Sequence, residues 1–194
     1  MGTRGFVGFV ADDKETITYN HWDSYPSGIG VTVLEFARQC KGTNFYRVKD
    51  AAAGLKHVSD DEPPTRDQIV ELASYANTHV STGAVDAEWY VLLRETHGNP
   101  DAILKCGYAE HAPEWPLDSL FCEWGYVLDF DTRTLDVYQG FQTSPPTEGR
   151  WAANPEDGPD YRQTPSGYYP VNRVASFDLD DLPTDTEFIA KTDP

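Results

Sequence analysis

Glu123-Trp124-Gly125-Tyr126-Val127-Leu128-Asp129-Phe130, the polar turn Asp131-Thr132-Arg133 and the run Thr134-Leu135-Asp136-Val137-Tyr138 read together as a β-hairpin. Both arms carry β-branched and aromatic residues with the two-residue period of strands, and the polar connection has the length of a hairpin loop. A second hairpin is expected at the N-terminus, where residues 5–10 and 16–22 flank Asp12-Asp13-Lys14-Glu15. Pro170 to Leu179 reads as a final strand. Between the hairpins the period lengthens. Val31, Leu34, Phe36, Ala37 and Cys40 recur with helical spacing up to Gly42, and a short helix is expected from Asp50 to His57.

After the acidic loop Ser59 to Pro64, Thr65 with Gln68 forms a capping-box pattern ahead of Ile69, Leu72, Ala73 and Ala76. Asp86 is placed to cap a helix over Ala87 to Thr96, with Trp89, Leu92 and Leu93 toward the core and Gly98 and Pro100 marking the stop. Ala102 to Cys106 fits helix or strand. The order of elements predicts one α+β domain over residues 1–194, an antiparallel sheet built from the N-terminal and C-terminal hairpins with helices packed on one face. A long Pro-, Gly- and aromatic-rich loop at about 142–168 and a short flexible acidic C-terminus complete it.

Composition narrows the function. The chain carries 32 acids against 15 bases, a formal charge of −17, which repels phosphate backbones and anionic membranes and makes nucleic acid an unlikely partner. No run approaches the roughly 20 apolar residues of a membrane span, and no secretory leader is visible, so the cytoplasm is the expected location. Cys40, Cys106 and Cys122 are odd in number and far apart, which fits buried free thiols rather than disulfides or a zinc ribbon. His57, His79, His97 and His111 lack ligand spacing, and no phosphate-binding or dinucleotide motif is present, so neither a metal nor a cofactor is expected.

The densest group of functional side chains is Tyr19-Asn20-His21-Trp22-Asp23-Ser24-Tyr25-Pro26, where the first hairpin ends. His21 can shuttle a proton near neutral pH and Asp23 can orient it, while Arg4 can neutralise Asp23 or hold an anion. Tyrosine and tryptophan offer rigid contact area, which makes Trp151, Tyr161, Tyr168 and Tyr169 in the late loop a candidate clamp. Aromatic residues on the uncovered face of the sheet, among Trp124, Tyr126, Tyr138 and Phe141, form a further candidate patch. The preferred reading is a binding protein that recognises a macromolecule or small ligand through Arg4, Tyr19, His21, Trp22, Asp23 and Tyr25 together with Trp151 and Tyr161.

The pattern Thr3-Arg4, a hairpin, then Tyr19-x-His21-Trp22-Asp23-x-Tyr25-Pro26 and Gly28 or Gly30 resembles a family of small uncharacterised proteins of bacteriophages and bacteria. The match covers about the first 40 residues. It implies a phage-related origin, hence the host cytoplasm, and no mechanism. The same segment is similar to the N-terminal-nucleophile hydrolases, which would make Thr3 the nucleophile beside His21 and Asp23; Met1 removal exposes Gly2, so that chemistry needs a further cleavage. The enzymatic alternative is thus a hydrolase or transferase, by that chemistry or by cysteine chemistry, for example Cys106 with Glu110 and His111. A third is an acidic inhibitor or nucleic-acid mimic that occupies a basic site.

Overall fold

The computed structural model describes residues 2–77, 88–154, 156–158 and 161–193. Strands β1 (Gly5–Ala11) and β2 (Lys14–Asn20) form the N-terminal hairpin, closed by Asp12 and Asp13, which adopt φ of 53° and 61°. Positive φ at both positions of a two-residue loop matches the twist of the flanking strands, and aspartate tolerates it better than most side chains. Helices α1 (Val31–Gln39) and α2 (Thr43–Ala53) follow, then β3 (Lys56–Val58), α3 (Arg66–Glu71), α4 (Trp89–Leu92) and α5 (Pro100–Cys106). The chain continues through β4 (Tyr108–Glu110), β5 (Trp124–Asp129), β6 (Thr134–Gln139), β7 (Asn172–Asp178) and α6 (Asp185–Thr192).

The α+β reading holds, with one correction to the sheet. Its five strands run in the order β2-β1-β5-β6-β7, and β1 pairs with β5 in parallel, so the sheet is mixed. The long helical crossover returns the chain to the end of the sheet where β1 begins, which forces β5 to run alongside it. Strands β3 and β4 form a separate parallel pair.

Alternation along the strands separates two cores. Val7, Phe9, Tyr126, Leu128, Leu135 and Val137 face α1, α2, α5 and α6. Phe6, Val10, Ile17, Val127 and Tyr138 face the other way and meet Cys122, Trp151 and Val171 from the connecting segments. Neither face is therefore uncovered, and the anticipated aromatic patch on an open face does not exist: Trp124 and Tyr126 lie under the helices, Tyr138 lies under the loop, and Phe141 is exposed beyond the strand end. Parallel register sets Phe6 opposite Gly125, and a Cβ there would come within 2.0 Å of the Phe6 ring. Leu72, Trp89, Leu92, Leu93, Cys106 and Tyr108 build a third cluster around β4 and α3 to α5.

Local signals explain most boundaries. The Thr65 and Gln68 side chains cap α3 reciprocally, and Asn99, Pro100 and the left-handed Gly107 bracket α5, which resolves Ala102–Cys106 as helix. The helix expected at Asp50–His57 starts earlier, at Thr43, and Lys56–Val58 is strand. Asp86 and Ala87 lie outside the described residues, while Trp89, Leu92 and Leu93 are buried as expected. The C-terminal segment corrects the expectation of a flexible tail: a Thr184–Glu187 capping box starts α6, and Phe188 is fully buried against Phe177. Among the described residues no helix is long and apolar enough to cross a membrane.

Candidate functional site

The strand register brings the starts of β1 and β5 and the ends of β2 and β6 to one end of the sheet. The His21–Tyr25 turn leaves β2 there and is fixed by its backbone. Ser24 donates its N–H to Thr3 O at 3.1 Å, and Ile29 donates to Asp23 O at 2.9 Å. Buried Ser24 also accepts from Asn20 Nδ2 at 2.7 Å, while its carbonyl takes the Tyr126 hydroxyl at 2.8 Å. Asp23 sits at φ 54°, which turns the chain so that its exposed carboxylate stands at the lip. Trp22 is 51% exposed, its ring lying across Gly2.

Beside this turn lies an open cleft of about 420 Å³. The turn supplies Asn20, Trp22, Asp23 and Ile29, and the opposite wall is Asn77 with Arg94, Glu95 and His97. Gly98 holds the walls together: at φ +72° it packs so closely that a Cβ would lie 2.6 Å from Ile29 Cδ1 and 2.8 Å from Asn20 Oδ1. Gly98→Ala is expected to cost about 2 kcal/mol and to separate the walls, because a left-handed backbone and an overpacked contact add. Gly107 has φ +76° with nothing within 4 Å of the point where a Cβ would stand, so Gly107→Ala should cost only about 1 kcal/mol. Equal losses in urea denaturation would remove the steric argument.

Arg94 is the cationic side chain of this cleft, with the Asp23 and Glu95 carboxylates lining the same space. Among the described residues neither Arg94 nor Arg4 has a carboxylate in ion-pair contact. Arg94 instead donates from Nη1 to His97 Nδ1 at 2.8 Å and lies 5.3 Å from the Tyr90 ring centroid. Arginine can only donate, so His97 must keep that nitrogen unprotonated. Burial, then Arg94 and His21, hold the His97 imidazole down to about 4. His21 bonds the Tyr19 hydroxyl through Nδ1 at 2.5 Å, and burial followed by Arg94 and Arg4 lowers its pKa as well. Tyr19 also meets His97 and Trp115 edge-on, with centroids 6.1 and 4.7 Å away. The result is two imidazoles held toward the neutral form beside a guanidinium that no carboxylate among the described residues pairs with.

Several sequence-predicted roles change. Arg4 does not pair with Asp23; its guanidinium covers the Phe121 ring at 5.3 Å and its N–H donates to Glu123 Oε1. Trp151 is 6% exposed and packs on Phe6 and Tyr138, so it belongs to the core and not to a clamp. Tyr169 is buried too, whereas Tyr161 and Tyr168 are half-buried; none of them lines the cleft beside the turn. Tyr25 is 38% exposed, with its carbonyl accepting from Gly28 and Gly30.

Among the described residues no nucleophile read from the sequence is hydrogen-bonded to an imidazole. The Thr3 hydroxyl makes no hydrogen bond to His21, whose Nδ1 is engaged by Tyr19. All three thiols are buried; burial pushes Cys40 up to about 12, raises Cys106 and raises Cys122 well above the ordinary thiol value. His111 does not turn toward Cys106, since it stacks on His57 at 4.3 Å and accepts the Ile17 N–H at 3.1 Å. That contact, with Ala112 N–H on Ile17 O, closes off part of the free edge of β2. Among the described residues no group of three or more ligating side chains could hold a metal ion.

A wider cleft of about 650 Å³ opens at this stacked pair. Several of its polar groups are engaged internally: His57 Nε2 meets Thr16 Oγ1 at 2.8 Å, Trp89 Nε1 donates to Glu62 O, and Gln68 caps Thr65. Thr16 is only 1% exposed, so its hydroxyl is no accessible nucleophile. The sequence carries no spacing signal for Arg94 or His97, because they reach the turn only through the packing of Gly98. No family model matches the chain, and neither a curated protein nor a solved structure is similar to it.

Proposed function

We propose that this chain is a cytoplasmic binding protein that receives the anionic group of a small ligand on Arg94, in the cleft between the His21–Tyr25 turn and the Arg94–His97 segment. The observation that carries this reading is the Arg94 guanidinium, without a carboxylate in ion-pair contact among the described residues and held by His97 and Tyr90 at the wall of an open cleft. In a chain of charge −17 a cation without a carboxylate partner among the described residues is a natural receptor for an incoming anion. Trp22 offers an exposed aromatic surface at the same opening. The resemblance of the Thr3-to-Gly30 pattern to phage and bacterial proteins supports a phage-related origin.

The test uses 3-phenylpropanoate as an aryl carboxylate and follows quenching of Trp22 fluorescence, with Trp22→Phe as the control. Arg94→Gln is expected to weaken binding at least tenfold, about 1.4 kcal/mol, with little change in urea midpoint. Undiminished binding by Arg94→Gln, or no Arg94-dependent binding of any aryl carboxylate, with or without an ammonium group, would refute the reading.

A further inference from the structure

The two carboxylates that share the cleft with Arg94 say more about the ligand. The geometry points to a zwitterion, a free α-amino acid with an aromatic or large apolar side chain, as the occupant; this rests on the assignment of Arg94 as the anion receptor. Asp23 stands exposed at the lip, and Glu95 accepts from the Asn77 amide at 2.6 Å. Neither carboxylate contacts a lysine or arginine among the described residues.

A simple anion on Arg94 would share the cleft with two negative charges, and like charges near a protein surface repel appreciably. A simple amine would satisfy the carboxylates and face the guanidinium. A ligand carrying both charged groups on one carbon answers both signs: its carboxylate lies on Arg94, and its ammonium faces Asp23 across the cleft and Glu95 beside Arg94. Trp22 and Ile29 form the apolar side of the cleft, where an aromatic side chain can stack on the indole. About 420 Å³ is within the range of small-molecule sites.

Three matched probes decide the question by calorimetry: L-phenylalanine, 3-phenylpropanoate without the ammonium, and phenethylamine without the carboxylate. L-phenylalanine is expected to bind at least tenfold more tightly than either. Asp23→Asn combined with Glu95→Gln should erase its advantage over 3-phenylpropanoate while leaving 3-phenylpropanoate binding equal or tighter. Arg94→Gln should erase its advantage over phenethylamine. The zwitterion is overturned if L-phenylalanine binds no better than 3-phenylpropanoate, or if the double variant keeps the preference. In that case Arg94-dependent binding of 3-phenylpropanoate would still uphold the anion receptor, whereas failure of all three probes overturns both proposals.

Discussion

Trp151→Ala is expected to destabilise the protein by about 4 kcal/mol, because truncating a buried tryptophan removes its burial energy and leaves a cavity. The indole is 6% exposed and fills the space between Phe6 and Tyr138, with ring centroids 5.6 and 4.7 Å away in edge-on contacts. Its neighbours tie the same loop to the sheet. Arg150 pairs with the buried Asp129 carboxylate, which also accepts the Asp131 and Thr132 N–H groups, and the Arg150 N–H donates to the Tyr138 hydroxyl at 3.3 Å. Arg173, at the far end of the loop, pairs with Glu148 at 3.1 Å and with Asp136 at 3.5 Å. Losing the indole would thus loosen the cover over one whole face of the sheet.

A loss of that size is a large fraction of the roughly 5–15 kcal/mol that typically separates folded from unfolded domains. The urea midpoint should fall sharply. Tyr161→Ala supplies the contrast: its half-buried ring lies outside the core clusters and meets the guanidinium of neighbouring Arg162 at 5.3 Å, so the change should stay within about 0.5 kcal/mol. If both variants behave alike, or if Trp151→Ala costs under about 1 kcal/mol, the late loop is not a structural cover.

Those two residues show why the sequence was legible in some places and opaque in others. The β5–β6 hairpin and the α3 cap could be read because each depends on neighbours in sequence: a two-residue period around Asp131-Thr132-Arg133, and Thr65 with Gln68 three residues on. Trp151 could not, since the prolines and glycines around it mark a loop without telling which of its aromatics reaches the core. The Thr184–Glu187 box has the same form as the α3 cap but lies in a short acidic stretch, where burial of Phe188 rather than amphipathic pattern secures the helix. Parallel pairing of β1 with β5 is set by where the crossover returns, a tertiary outcome with no local signature. The candidate site divides in the same way. Trp22, Asp23 and the turn were visible as a cluster, whereas Arg94 and His97 arrive from a distant segment through a contact that only glycine permits at position 98.

Acidification should expose that distant half of the site through stability. Burial holds the folded His97 down to about 4 against an ordinary 6.5, so between those values the unfolded chain holds the extra proton and stability falls as pH falls. The effect is complete above about 6.5, is lost on descending to about 4, and is worth at most about 3 kcal/mol. His57, also lowered to about 4 mainly by burial and then by stacked His111, works in the same direction, with a smaller share because solvent screens it. Glu110 works against both. Burial, with Asp60, raises its carboxyl to about 7, so from 7 down to 4.5 the folded state holds the extra proton and stability rises as pH falls. In the native chain the opposing contributions partly cancel through this window. Glu110→Gln should therefore be about 1–3 kcal/mol more stable than the native chain at pH 8, where a buried ionised carboxylate is no longer required, and should then lose stability steeply toward pH 4. His97→Gln keeps an acceptor for Arg94 and should flatten the acid limb, most clearly when combined with Glu110→Gln. Urea midpoints at pH 8, 6, 5 and 4 decide the matter. An unchanged midpoint for Glu110→Gln at pH 8, or an undiminished acid slope in the double variant, would show that these two groups do not carry the pH dependence.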